Sequence, residues 1–372
     1  MIIGVPKEIK EAENRVAIIP AGVQAMRAHG HHVLIQRGAG IGSGLQNEAF
    51  VKAGAELVDE PSRIYGEADL VYKVKEPTPV ECEMLQEGQI LFTFLHLAPA
   101  LELTKRLLAR RVVAIAYETV QTSDGRKPLL EPMSEIAGRM AVHIGAYYLA
   151  TPHGGRGVLI GGVPGVPPAT VVILGGGTVG ANAAKVAAGM GAWVYLLDVE
   201  QARMRYMDEI LPENVTTLIS NQMSIEECVR RADILIGAVY ISGAKAPKLV
   251  TGEMIAFMKP GSVIVDVAID QGGCIETSYP TSHSNPVYSV DGILHYCVAN
   301  MPGAFARTST FALANVTLPY AIRLADSGWR RAILECQELS LGLNTALGHV
   351  THPAVADAHS LPYLPPMDVA KG

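Results

Sequence analysis

The sequence predicts an α/β protein with parallel sheets in two domains, the first of them discontinuous. Three observations predict it. Short apolar segments alternate with longer helix-like ones, and strands that alternate with helices pair in parallel. The 372 residues include 37 glycines, with 49% hydrophobic and 18% charged residues. That is the composition of a globular chain with tight strand–helix turns and enough length for two cores. The alternation also restarts near residue 131, and the chain ends in helix-like segments that we place back on the first domain, whose own helices are few. The expected boundaries are residues 1–130 plus 305–372 for the first domain and 131–304 for the second.

In order, "HHVLIQRG", "DLVYKVKEP", "QILFTFLHLA" and "VVAIAYETV" read as strands of the first domain. "PAGVQAMRAHG" and "PALELTKRLLARR" read as its helices, with Pro20 and Gly30 at the two ends of the former. "EPMSEIAGRMAVHIGAYYLA" reads as a long helix of small residues, suited to crossing between domains. A Gly/Pro-rich loop follows. The second series of strands is "TVVILGGG", "WVYLLDV", "VTTLIS", "ADILIGAV", "SVIVDVAI" and "GILHYCVAN". After "NMPGAFARTST" the chain reads as helical again, through "GWRRAILECQELSLGLNTAL", and ends in a Pro-containing tail. No internal repeat and no low-complexity run interrupts this plan.

Bulk properties narrow the function. The formal net charge of −6 argues against nucleic acid or an anionic membrane as partner. The longest apolar region is broken by Pro and Gly, so no run of about 20 apolar residues is available to span a bilayer. The N-terminus turns charged within ten residues, unlike a secretory signal. Five cysteines with no C-x-x-C pair fit reduced thiols in the cytoplasm rather than disulfides or zinc.

The most informative stretch is "TVVILGGGTVGANAAKVAAGMGAWVYLLDVE". A strand runs into Gly175-x-Gly177-x-x-Gly180, a helix follows, and a second strand ends at Asp198. That register is the dinucleotide fingerprint. Gly175 allows the tight turn, Gly177 lets the backbone approach a pyrophosphate, and Gly180 lets the helix pack on the strand. Thr178 and Val179 open the helix whose N-terminal N–H groups favour the diphosphate. Asp198 suits the adenosine ribose hydroxyls and repels a 2′-phosphate, which favours NAD over NADP. Arg203, a little further on, reads as a solvated helix residue.

Ligands of open parallel sheets sit outside the carboxyl ends of the strands, so polar residues at predicted strand or turn ends are the candidates for chemistry. These are Arg15, Lys75, His96 and Asp270. Each has a plain structural alternative: a solvated loop arginine, a snorkelling strand lysine, a satisfied histidine. Together they form a set. Arg15 and Lys75 suit a carboxylate, and His96 is of the residue type that suits proton transfer. "VIVDVAI" carries a second acid, Asp266. If the run is one strand, Asp266 and Asp270 share a face about 13 Å apart. Asp266 then lies mid-strand, accepting hydrogen bonds from the scaffold, and Asp270 lies at the strand end, where chemistry belongs.

"GVPKEIKEAENRVAIIP", "KVKEP", "VVILGGGTVGANAAKVAAGMGA", "KPGSVIVDVAIDQGG" and "NMPGAFARTST" together resemble the bacterial NAD-dependent alanine dehydrogenase family. That family also takes in the NAD-binding part of proton-translocating transhydrogenase. The resemblance runs in order from residue 1 to about 350. It implies two Rossmann-like domains flanking a cleft, a homohexamer, and the reaction L-alanine + NAD⁺ + water ⇌ pyruvate + ammonia + NADH. By the same resemblance Arg15 and Lys75 bind substrate, His96 is the acid–base catalyst and Asp270 the second catalytic group. Ser134, Asp198, Arg203, Ser220, Val239, Val298, Asn300 and Met301 fall at cofactor positions. Some members hold a divalent metal through an acid and a His. Glu118 matches the acid here, but Ser327 stands in place of the His, so no metal is expected. The alternative, a transhydrogenase subunit, fits less well, because "EPMSEIAGRM" stands where a "RAQSMD"-like segment is expected.

Overall fold

The structure is a computed structural model that describes residues 1–239 and 246–372. It divides into two compact units, Met1–Met133 with Gly303–Gly372, and Ser134–Pro302. The described strands, in chain order, are β1 (Ile2–Val5), β2 (His32–Gln36), β3 (Glu56–Val58), β4 (Leu70–Tyr72), β5 (Ile90–Thr93), β6 (Val113–Ala116), β7 (Thr170–Leu174), β8 (Trp193–Asp198), β9 (Val215–Ile219), β10 (Ile234–Gly237), β11 (Val263–Asp266), β12 (Val287–Val290), β13 (Ile293–Tyr296), β14 (Leu343–Ala346) and β15 (His349–Val350).

The first unit holds an eight-stranded sheet in the order β15-β14-β6-β5-β4-β1-β2-β3. From β6 to β3 all pairs are parallel. Read from β3, the parallel part runs 3-2-1-4-5-6, the doubly wound order, with its switch point between β1 and β4. The C-terminal segment returns to this sheet, and it does so with strands as well as helices. β14 pairs antiparallel with β6, and β15 pairs antiparallel with β14. "LGLNTAL" therefore departs from the helical expectation. The helix Gln337–Gly342 stops at Gly342, and the following four residues join the sheet edge.

The second unit repeats the arrangement. Its order is β12-β13-β11-β10-β7-β8-β9, again doubly wound, with the switch point between β7 and β10 and an antiparallel edge strand, β12. Alternate residues leave opposite faces of a strand, and both faces are covered here. Val171, Ile173, Val194, Leu196, Ile234 and Ile236 enter one core with Ala183, Ala184 and Ala187. Val172, Leu174, Leu197, Leu235 and Ile264 enter the other with Ile225, Val229, Met254 and Ile255. Sheets buried on both faces give the near-continuous Val/Ile/Leu runs seen in the sequence.

The strands are shorter than the apolar runs that announce them. β4 stops at Tyr72 and β5 at Thr93, so Lys75 and His96 each lie three residues past a strand end. "VIVDVAI" is not one strand. β11 ends at Asp266, and Val267–Gln271 forms a 3₁₀ turn. The expected 13 Å spacing and shared face therefore give way. Four residues of 3₁₀ backbone rise about 8 Å.

Among the described residues, no helix is long and apolar enough to cross a membrane. All five cysteines are buried and unpaired as thiols.

Candidate functional site

In the first unit, Arg15, Lys75 and His96 all stand beyond the carboxyl ends of neighbouring strands, β1, β4 and β5. The loops that carry them are bonded to one another in series. From the β1 loop, the Glu8 Oε1 accepts the backbone N–H groups of Val74 (2.7 Å) and Lys75 (3.2 Å), and Lys10 pairs with Glu76. Between the β4 and β5 loops, Phe94 N–H donates to Val74 O and the Thr93 hydroxyl donates to Lys75 O (2.9 Å). The β5 loop is tied in turn to the segment after β6. Glu118 Oε1 accepts the N–H of His96 at 2.7 Å, and the N–H of Leu95 lies 3.3 Å from both carboxylate oxygens.

Arg15 is buried, and its guanidinium is held by Glu13, with Nε 2.7 Å from Glu13 Oε1 and Nη1 3.2 Å from Met133 Sδ. Lys75 is half-buried, and its ammonium lies 3.7 Å from Glu76 Oε2. Burial raises the Glu76 carboxyl, but Lys75 and Lys10 outweigh it and hold the group below the usual range. His96 is backed by Phe94, with ring centroids 5.8 Å apart and planes nearly parallel, and Phe94 meets Tyr117 edge-on. Its φ is +51°, a left-handed conformation that non-glycine residues adopt at a cost of about 1 kcal/mol or more and that gathers at functional sites.

Below these loops lies a charge cluster whose parts the sequence analysis passed over. Lys73, two residues before Lys75, is fully buried. Its ammonium lies 2.6 Å from Glu81 Oε1 and 3.2 Å from Glu8 Oε2, and the Tyr65 hydroxyl donates to Glu81. Burial pushes the Glu8 carboxyl up against the opposing pull of Lys73. Burial acts on Glu81 in the same sense, but there Lys73 prevails and holds it low. A lysine two residues from Lys75, in a run of apolar residues, was the signal that a buried counter-charge had to exist.

In the second unit the dinucleotide fingerprint has the geometry it needs. Gly175 has φ +103°, and a Cβ there stands 2.8 Å from Ala238 O, at the start of the segment after β10. A Cβ at Gly180 stands 1.8 Å from Gly175 O, whereas one at Gly177 meets nothing within 4 Å among the described residues. The turn and the helix packing thus exclude side chains at Gly175 and Gly180, and the space over Gly177 is open to a ligand. Gly177 is the N-cap of the helix Thr178–Gly189, which presents Thr178 and Val179 in its first turn. Asp198 Oδ2 accepts Gly176 N–H (2.6 Å) and Oδ1 accepts Glu200 N–H (2.9 Å). Its remaining lone pairs are available to hydroxyl donors.

Several of the positions expected to contact a cofactor lie near this turn. Arg203 Cγ lies 3.3 Å from the Gly176 Cβ position, so it leans over the glycine loop instead of pointing away as a solvated residue. Ser220 N–H donates to Asp198 O (2.8 Å), and Val239 N lies 3.2 Å from the Gly175 Cβ position. A Cβ at Gly138 meets Val179 O at 2.1 Å, so the helix Glu131–Tyr148 presses on the same turn. Ser134 lies one helical turn before Gly138, on the same face. Val298 and Met301 are core side chains, and Asn300 between them has φ +63°. Asp270 is exposed on the 3₁₀ turn, and Asp266 is fully buried. Asp266 accepts N–H groups from Ala268 (3.2 Å), Cys274 (3.1 Å) and Ile275 (3.3 Å), the scaffold role expected of it.

Two family models cover nearly the whole chain: "Alanine dehydrogenase/PNT, N-terminal domain" over residues 4–137 and "Alanine dehydrogenase/PNT, C-terminal domain" over residues 141–353. The chain belongs to the alanine dehydrogenase/PNT family. Within that family it is 58% identical to an alanine dehydrogenase of Methanococcus maripaludis over 98% of both chains. It is 54% identical to that of Bacillus subtilis, over 98% of this chain and 96% of the other. A solved L-alanine dehydrogenase structure superposes with a TM-score of 0.94 at 49% identity, covering 97% of this chain and 99% of that one. The alanine dehydrogenases of the family are oxidoreductases that act on a CH–NH2 group with a nicotinamide cofactor.

Proposed function

We propose that this chain catalyses the reversible oxidative deamination of L-alanine to pyruvate and ammonia, with NAD as the cofactor, as a cytoplasmic homohexamer. The observation that carries the assignment of roles is the placement of Arg15, Lys75 and His96 beyond three adjacent strand ends at the switch point of the first sheet, where ligands of this architecture bind. A bound nicotinamide would supply the acceptor for a hydride from the alanine Cα.

The chain's own residues do the rest. Arg15 and Lys75 neutralise the substrate carboxylate, and Glu13 and Glu8 fix the approach of each. Loss of hydride leaves an iminium carbon, to which water must add before ammonia leaves. Asp270 accepts a proton from that water. His96 delivers a proton to the departing nitrogen and takes one from the carbinolamine hydroxyl. On the cofactor side, the glycine turn and the N-terminus of the helix Thr178–Gly189 hold the diphosphate, with Ser134, Val239, Val298, Asn300 and Met301 around it. Asp198, with Arg203 and Ser220 beside it, accepts from the ribose hydroxyls.

An initial-rate panel at alkaline pH, following NADH absorbance, tests the reaction. It covers alanine, serine, glycine and 2-aminobutyrate, together with lysine plus 2-oxoglutarate. Alanine should lead, and activity on none of these overturns the assignment. Asp198→Ala should narrow the preference for NAD over NADP in kcat/KM; an unchanged ratio removes Asp198 from the ribose. Light scattering of the purified protein checks the hexamer.

A further inference from the structure

Glu118 is buried, and its carboxylate faces the backbone on which His96 stands. Three facts define its place. His96 is held at φ +51°, a conformation its side chain disfavours. The N–H of His96 and that of Leu95 are both directed at the Glu118 carboxylate, at 2.7 and 3.3 Å. The His96 Nδ1 lies 3.9 Å from Glu118 Oε1, beyond hydrogen-bond reach. The carboxylate therefore hydrogen-bonds the backbone of His96, and it meets the ring only as a long ion pair when the imidazole is protonated. Glu118 itself is fixed by the short 3₁₀ helix Tyr117–Thr119 directly after β6. Tyr117 packs edge-on against Phe94, whose ring backs that of His96, and its hydroxyl donates to Lys73 O (2.8 Å).

We propose that Glu118 is the positioning residue for His96: by accepting two consecutive backbone N–H groups it holds the left-handed turn that presents the imidazole to substrate. Charge-assisted hydrogen bonds from buried N–H groups are strong enough to offset an unfavourable backbone conformation. Without them, the relaxed alternative for residue 96 is an extended or right-handed backbone, which swings the ring away. This rests on the assignment of His96 to proton transfer, and the test separates the two.

Four variants are compared: Glu118→Ala, Glu118→Gln, His96→Ala and the double variant His96→Ala with Glu118→Ala. Kinetics, NADH affinity by fluorescence and melting temperature are measured for each, and the Glu118→Ala structure is solved. Glu118→Ala should lower kcat about ten- to a hundredfold, the range a displaced catalytic group produces, with NADH affinity within about twofold of the parent. Glu118→Gln keeps one acceptor oxygen and should recover most of the rate. In the His96→Ala background, removal of Glu118 should cost no further rate. A full additional loss in the double variant means that Glu118 acts elsewhere and overturns the proposal. So does a Glu118→Ala structure in which residue 96 keeps its left-handed φ and its ring position, whatever the activity. Near-parental turnover of His96→Ala would instead overturn the proton-transfer role of His96, and the structural readout would still decide whether Glu118 holds the turn.

Discussion

Asp266 and Asp270 are the same residue type four positions apart, and their surroundings divide them. Asp266 closes β11 and accepts three backbone N–H groups, while Asp270 is exposed on the turn that follows. Asp266→Ala should destabilise the protein by at least about 2 kcal/mol, because it strands buried donors. Asp270→Asn should leave stability within about 0.5 kcal/mol, as surface changes do, while turnover falls about a hundredfold or more, the usual range for a lost proton-transfer group. Denaturant unfolding and initial rates on both variants check the division. At this scale the sequence revealed what a buried acid must do, since an uncompensated carboxylate in an apolar run demands donors. It did not reveal what Glu118 does here, because the backbone N–H groups of Leu95 and His96 that it accepts lie more than twenty residues earlier in the chain.

Among elements, the glycine turn is the one that sequence spacing specified most completely. Three glycines, a helix start and a terminal acid admit few arrangements, and steric contacts enforce the one observed. Gly180→Ala puts a Cβ 1.8 Å from a backbone oxygen that cannot move independently. It should cost about 1–3 kcal/mol or more, as overpacking does, and weaken NADH binding by shifting the helix N-terminus. Thermal melting with and without NADH measures both effects. Strand ends were less legible, because apolar runs continue past the last ladder bond into turns that remain buried. β14 was the least legible element. "LGLNTAL" carries a helix-compatible pattern, and its antiparallel pairing with β15 and with β6, more than two hundred residues earlier, makes it a strand.

Across the whole molecule, the double use of one strand order was legible in the sequence as alternation and restart, whereas the charges buried under the first sheet were not. Lys73 sits fully buried between Glu8 and Glu81. Lys73→Met leaves two carboxylates unpaired and should cost about 3–5 kcal/mol at pH 7. The pH dependence follows from the shifts. Glu81, held low, contributes stability that is fully present above its unfolded value of about 4.5 and is lost as pH falls through its folded value. Glu8, pushed up, works in the opposite sense, against the fold as pH rises through its own folded value. Without Lys73 both acids disfavour the folded state when ionised, so the penalty of Lys73→Met should be smaller at pH 4 than at pH 7. Urea titrations at the two pH values read it directly. The return of the C-terminal segment to the first sheet also sets a schedule for synthesis. When β6 leaves the ribosome its outer edge has no partner, and β14 emerges roughly 10–45 s later at ordinary translation rates. The whole of the second unit is made in that interval and is free to fold first. The nascent first unit meanwhile carries an open strand edge, the kind of surface on which chaperones act and from which aggregation starts.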